Sequence, residues 1–238
     1  MSLNSKKCKV MHYGKKNPER DYFIGNRNER VQLGKTDAEK DLGVLIENNS
    51  KSSKQIQSAV SRANSILGRM RKTFKFFNIK LFKIIYPTYI RPHLEFGSVV
   101  WNSMTNADKK KIEGIQKRGT KMVIELDSMV YEERLEALGL TTLESRRKRG
   151  DLVQIYKIFK GAEDVDIGMG SVNQRENNGR HHRYQITRDR QGNVPMRIGF
   201  LPNQNATEIV EADNVNVFKT RIDRHMKSDS LRRSVYRV

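Results

Sequence analysis

One cysteine, Cys8, occurs in 238 residues, so no internal disulfide can form and a reducing compartment, nucleus or cytoplasm, is expected. No run of about 18 apolar residues exists, so no membrane-spanning segment is expected, and the opening MSLNSKKCKV lacks the apolar stretch of a secretory signal. His12, His93, His181, His182 and His225 are scattered and, with a lone cysteine, make no zinc-ligand spacing. Catalytic signatures are missing too: no nucleophile elbow, no phosphate-binding glycine loop, no Asp-Asp pair. The nearest acidic clusters are Glu132-Glu133 and Glu163-Asp164-Val165-Asp166. They read as a helix surface and a solvated loop, not as a two-metal site whose carboxylates converge on ions ~4 Å apart. Acid is scarce overall, with 27 Asp and Glu against 46 Lys and Arg and a formal net charge of +19. That balance favours an acidic polymer as partner, nucleic acid first and an anionic membrane surface second. From its residues alone the chain binds rather than catalyses.

The shortage of acid is concentrated. From Asn48 to Leu94 there are ten Lys or Arg and no Asp or Glu. Apolar residues recur through this stretch at helical spacing: Ile56, Ala59, Val60, Ala63, Ile66, Leu67, Met70, Phe74. Opposite them runs a polar and basic stripe of Lys51, Lys54, Ser58, Arg62, Ser65, Arg69 and Lys72. One helix, from about Ser53 to Phe76 or Phe77 and ~36 Å long, would present a core face and an unopposed positive face. Such a face is either a solvated helix surface or a phosphate-binding one.

Around it, residues 6–47 read as short strands. Lys7 to Tyr13 alternate by two, which puts Lys7 and Lys9 on one face; Tyr22 to Ile24 and Leu42 to Ile46 follow. Three such strands do not make a self-sufficient domain. Ile79 to Trp101 is apolar-rich and carries Pro87 and Pro92, so a kink or break is expected. Its Phe82, Ile85, Tyr89, Leu94, Phe96, Val99, Val100 and Trp101 mark the hydrophobic centre. Thr105 with Asp108 starts a helix that has Ile112, Ile115, Gly119 and Met122 on one face and Lys110, Lys117 and Lys121 on another. A short helix from Tyr131 ends at Gly139. Thr141 to Glu144 is a capping box for a helix with Leu152, Ile155, Tyr156 and Phe159 inward. Residues 162–210 read as a flexible basic linker. Val215, Phe218, Ile222 and Met226 form the core face of a last helix, followed by a polar, frayed tail. The fold class is mainly α with a small N-terminal β-hairpin or sheet.

Seven blocks follow one another in order: KCKVMHYGKKNPERDYFIGN, EKDLGVLIENN, SAVSRANSILGRMRKTF, IIYPTYIRPHLEFGSVVWN, KKIEGIQKRGTKMV, YEERLEALGLTTLESRRKRGDLVQIYKIFKG and NVNVFKTRIDRHM. This series resembles the C-terminal part of reverse transcriptases of non-LTR retrotransposons of the jockey-like LINE type. The resemblance covers residues 1–161 and, less fully, 213–227. It implies an RNA-directed DNA polymerase whose Tyr-x-Asp-Asp box lies just before the start of this sequence. Residues 1–50 would be the end of the palm, 51–124 the start of a thumb-like helical bundle, 125–161 a helical extension and 211–238 a C-terminal helix and tail. Lys7 falls on the lysine held to protonate the leaving pyrophosphate. Asp41-Leu42-Gly43-Val44 matches the primer-grip hairpin. Lys54, Arg62, Arg69, Lys72, Lys75, Lys117 and Lys121 would hold an RNA/DNA template–primer duplex, with the fingers and palm of such a polymerase as a further partner.

Two departures qualify the resemblance. The catalytic aspartates, and with them the ligands for Mg, are missing, so no cofactor is expected on this chain and no polymerase activity from it alone. Near the C-terminus, MRIGFLPNQ stands where the family has a longer aromatic block ending in Trp-Asn-x-Leu-Pro. Three readings stay open at this point: part of such a polymerase, a stand-alone nucleic-acid-binding module, or a basic surface for protein or anionic-membrane contacts.

Overall fold

In a computed structural model of the chain, residues 4, 7–14, 16–25, 30–101, 105–164, 172–173, 185–186, 209 and 211–235 are described. They fall into two compact units, 1–143 and 144–238. Both are mainly helical with a few short strands. Among the described residues no helix is long and apolar enough to cross a membrane.

The first unit begins with short strand pairs. β1 (Lys9–Val10) runs parallel to β4 (Gly34–Lys35), and β2 (Phe23–Ile24) antiparallel to β3 (Val31–Gln32). The strand expected from Lys7 to Tyr13 is thus reduced to two residues, and Lys7 sits in a turn, so Lys7 and Lys9 do not share a strand face. These pairs bury little: Tyr13, Tyr22, Phe23 and Val31 are all exposed.

β5 (Ala38–Asp41) and β6 (Val44–Glu47) form an antiparallel hairpin in which Asp41 pairs with Val44. Its loop is Leu42–Gly43, both at positive φ, as the two-residue type I′ turn requires. The run read as a strand from Leu42 therefore starts at Val44. The hairpin is clamped to the helix that follows. Gln55 accepts the Leu45 N–H at 2.9 Å, and the buried Glu47 carboxylate accepts the Lys54 N–H at 3.0 Å. Glu47 thereby places a negative charge at a helix N-terminus that has no acid of its own in its first turn.

That helix, α1 (Ser53–Thr73), buries Ile56, Ala59, Ala63 and Leu67, with Val60, Ile66 and Met70 packed at the edges. This is the stripe expected from the periodicity. The helix stops at Thr73, earlier than expected, because Phe74 turns to an extended conformation. Asn78 caps α2 (Ile79–Ile85) by accepting the Leu81 N–H at 2.8 Å.

α2 runs on through a π-turn (Tyr86–Ile90) into α3 (Arg91–Glu95). The break in the α-helix expected at the prolines is observed, and it takes the form of a widened turn. Pro87 and Pro92 lack the N–H groups that Lys83 and Thr88 carbonyls would receive in an α-helix. Arg91 N–H instead reaches the Tyr86 carbonyl, five residues back. The buried residues explain why this is tolerated. Phe82, Tyr86, Ile90 and Leu94 are all buried and are spaced by four. On a regular α-helix a spacing of four drifts ~40° per step, so Leu94 would leave the core face. The π-turn absorbs the drift. Tyr89, Phe96, Val99 and Val100 fall outside this face and are exposed, contrary to their placement in the hydrophobic centre. Trp101 is buried as expected, its indole N–H donating to the Phe96 carbonyl at 2.7 Å. Gly97 (φ +61) lets this turn lie against Val44 of the hairpin.

α4 (Asn106–Thr120) starts at Thr105, whose hydroxyl accepts the Asp108 N–H at 3.2 Å and donates to the Asp108 carboxylate at 2.8 Å. Ile112, Ile115 and Gly119 face the core, joined by buried Gln116 and Thr120. α5 (Tyr131–Leu138) ends on Gly139 at φ +66. A buried polar network ties these elements together. Tyr86 donates to the Gln116 side-chain Oε1 at 2.6 Å, while the Gln116 side-chain Nε2 donates to the Tyr131 hydroxyl at 3.0 Å and to the Thr141 backbone carbonyl at 3.0 Å. Tyr131 donates to Glu113, and burial together with that carboxylate pushes its hydroxyl far above its ordinary pKa. The other Glu113 oxygen accepts the Leu143 N–H at 3.0 Å, which caps α6 (Leu143–Phe159) from a distant helix. Glu144 pairs with Lys148 at 3.2 Å.

In the second unit, α6 residues from Glu144 onward and α7 (Val215–Val235) carry the core. Tyr156 stacks on Phe218 with ring centroids 4.1 Å apart and donates to the Ala212 carbonyl at 2.5 Å. Val153, Ile209 and Ile222 are buried beside them, and Val215 and Met226 pack at the edge. The spacing expected for the last helix is therefore observed. Its backbone stays helical through Val235, past the point where a frayed tail is expected. β7 (Val172–Asn173) pairs with β8 (Gln185–Ile186). The rest of the expected linker over 165–210, with His181-His182 and MRIGFLPNQ, lies almost wholly outside the described residues.

Candidate nucleic-acid interface

The outward side of α1 is set by helical phase. With Ile56, Ala63 and Leu67 facing in, Arg62, Arg69 and Lys72 face out, and all three are exposed. Lys75, just past the helix end, is exposed as well. None of these four side chains makes a hydrogen bond or an ion pair with a described residue; only the Arg69 backbone carbonyl accepts one, from the Thr73 hydroxyl, outside the helix ladder.

Their isolation has a cause. The stretch holds no acid of its own, and several carboxylates of the same unit are engaged by other partners. Glu39 pairs with Lys9 at 2.7 Å and Asp21 with Lys35 at 3.0 Å, and each lysine holds its partner's carboxyl below the ordinary value. Asp108 pairs with Lys111 at 3.3 Å. Burial pushes the Asp108 carboxyl up, but bonds from Thr105 and Lys111 outweigh it and the net shift is downward. Glu113 is occupied by Tyr131 and Leu143.

Lys54 differs from the rest of the stripe. Its ammonium lies 3.6 Å from the buried Glu47 carboxylate, so part of its charge serves the hairpin clamp. Lys117 is exposed on α4 and Lys121 is exposed just past its end. Lys117 sits over the Tyr131 ring, 4.9 Å from its centre, on the side of α5. The α4 cation that does reach α1 is Arg118, which bonds Asn64 at 3.0 Å. Asn64 lies on the flank of α1 away from Arg62 and Arg69 by helical phase. Lys7 is exposed in the N-terminal turn.

The hairpin loop resolves its three candidate residues into different roles. Val44 is buried, while Leu42 is 90% exposed at φ +43. A Cβ on Gly43 (φ +91) would meet the Phe96 ring at 3.0 Å. An exposed leucine in a left-handed conformation is costly, and no packing of Leu42 offsets the strain.

One feature escaped the sequence reading. Beside Arg69, a groove of about 340 Å³ opens between the C-terminal half of α1 and the π-turn, lined by Arg69, Thr73, Phe74, Thr88, Tyr89 and His93 among others. The signal was present in the spacing of Phe82, Tyr86, Ile90 and Leu94, which leaves Tyr89 off the core face.

Compared with models of known protein families, with curated proteins and with solved structures, the chain matches none. Among the described residues no three His, Cys, Asp or Glu side chains are grouped to hold a metal ion.

Proposed function

We propose that this chain grips an RNA/DNA template–primer duplex, as the end-of-palm, primer-grip and thumb-like portion of a non-LTR retrotransposon reverse transcriptase would. The observation that carries the reading is the stripe of Arg62, Arg69 and Lys72: exposed, unpaired and fixed on a helix whose other face is core. The three span ~15 Å of helix, a length matched to one strand of backbone phosphates. Lysines and arginines hold such a hybrid through backbone and shape rather than sequence. The strained, exposed Leu42 at the tip of the β5–β6 hairpin supports the primer-grip part, where an apolar tip would lie against the primer end. On this reading α1 to α4 form the thumb-like bundle, chemistry belongs to aspartates that this chain does not supply, and the protein works in the nucleus or cytoplasm.

Titration of a labelled RNA–DNA hybrid with the full chain tests this. With four to six phosphates neutralised, log K should fall against log salt with a slope of roughly −3.5 to −5.5. Absence of hybrid binding at about 50 mM salt would refute the reading. Primer extension by the chain alone should give no dNTP incorporation.

A further inference from the structure

We infer that the groove beside Arg69 takes one unpaired nucleotide, stacking its base on Tyr89 while Arg69 holds its phosphate. The inference rests on the duplex reading of the α1 stripe and adds a second kind of substrate at its edge: a single-stranded extension of the duplex.

Three observations converge. Tyr89 is 57% exposed although its helix neighbours Tyr86 and Ile90 are fully buried. An exposed aromatic ring on the wall of a groove offers a platform for a base, whose flat face stacks without regard to sequence. Arg69 belongs both to the groove wall and to the row formed with Arg62 and Lys72, and it has no partner of its own. A strand following that row therefore reaches the groove without crossing acidic surface. Last, the lining is mixed, as a base with its sugar requires. Ile66, Met70, Phe74 and Tyr89 give apolar walls, His93 adds ring nitrogens, and the Thr73 and Thr88 hydroxyls, which donate to the Arg69 and Ile84 carbonyls, keep acceptor lone pairs for a base edge or a sugar.

Size narrows the occupant. The volume, about 340 Å³, lies at the low end of small-ligand clefts, which run ~300–1,000 Å³. A volume at that end is on the scale of one base with its sugar rather than a base pair with two backbones. The π-turn is part of the device, since Thr88 and Tyr89 lie within it and π-turns recur at functional sites.

Two hybrids of equal duplex length, one blunt and one with a single unpaired nucleotide at one end, discriminate the possibilities, with overhangs placed at either strand's end. The full chain is expected to bind one overhang form about five-fold or more tighter than the blunt form, the low end of base–aromatic stacking. Tyr89→Ala should abolish that preference without changing affinity for the blunt hybrid, and Tyr89→Phe should retain it. A 2-aminopurine at the overhang should lose fluorescence on binding to the parent chain, a readout that needs no variant. Equal binding of blunt and overhang forms together with unquenched 2-aminopurine would overturn the inference and leave the stripe reading intact. Failure of the parent chain to bind either hybrid would overturn both. A drop in blunt-hybrid affinity for Tyr89→Ala equal to that for the overhang form, with an unchanged melting curve, would place Tyr89 on the duplex and also overturn it.

Discussion

A Cβ added to Gly97 would stand 2.7 Å from Cγ2 of Val44, closer than real Cβ contacts come. This approach presses the β5–β6 hairpin onto the turn that leads to Trp101, and it demands the positive φ that glycine supplies. Gly97→Ala is expected to lose about 2–4 kcal/mol, from left-handed strain plus overpacking. Urea unfolding followed by the fluorescence of Trp101 reads the loss directly.

Gly119 behaves oppositely. Its Cβ would meet Leu67, Phe82 and Tyr86 at 3.6–3.7 Å, ordinary contact distances, on a helical backbone. Gly119→Ala should therefore stabilise α4 by up to about 1 kcal/mol. A fall in melting temperature would show that the α1–α4 approach is tighter than these distances.

Glu113 serves three donors at once: the Tyr131 hydroxyl, the Leu143 N–H and, at 3.5 Å, the Gln116 side-chain amide. A glutamine has one acceptor oxygen and would turn an amide donor toward one of them. Glu113→Gln is expected to cost about 1–3 kcal/mol, the penalty for a buried polar group left without its partner. Denaturant unfolding measures it, and Tyr131→Phe in the same background should recover part of the loss.

Arg149 holds the Asp223 carboxyl below its ordinary 3.8 through bonds of 2.5 and 2.9 Å, against the opposing effect of burial. A carboxyl whose pKa is lower folded than unfolded adds stability at pH values above the unfolded pKa. That contribution is lost as pH falls through the lower folded value. Melting curves from about pH 7 to about pH 2 should show wild type above Asp223→Asn at neutral pH and the two converging in acid.

The basic residues can be told apart by salt. Arg62→Ala, Arg69→Ala and Lys72→Ala should each reduce the slope of log K against log salt by about one, whereas Lys117→Ala should leave it nearly unchanged. Equal effects from all four would mean a diffuse field rather than a defined stripe.

Helical phase was legible in the sequence wherever a single face did the packing. Ile56, Ala63 and Leu67 on α1, and Phe218 with Ile222 on the last helix, lie where their spacing puts them. The Thr105 cap is equally local and equally visible. What periodicity cannot convey is a partner thirty residues away, such as Leu143 for Glu113, or the pairing of Lys9 with Gly34 across a parallel bridge. Lys54 reads as a free cation because Glu47 stands one residue before the acid-free stretch. Tyr89 is misplaced for a different reason. Counting apolar residues from Phe82 to Trp101 groups it with the core, and only their phase separates it.

The widened turn at Tyr86–Ile90 amounts to a spare residue in the helix. Buried positions four, four and four apart become four, three and four if one residue between Tyr86 and Ile90 is removed, which is the rhythm of an ordinary amphipathic helix. Such a deletion would leave Leu94 in the core while withdrawing the ring of Tyr89 from the groove wall. The helix is thus one residue longer than its packing needs, and the surplus is spent on the surface beside Arg69.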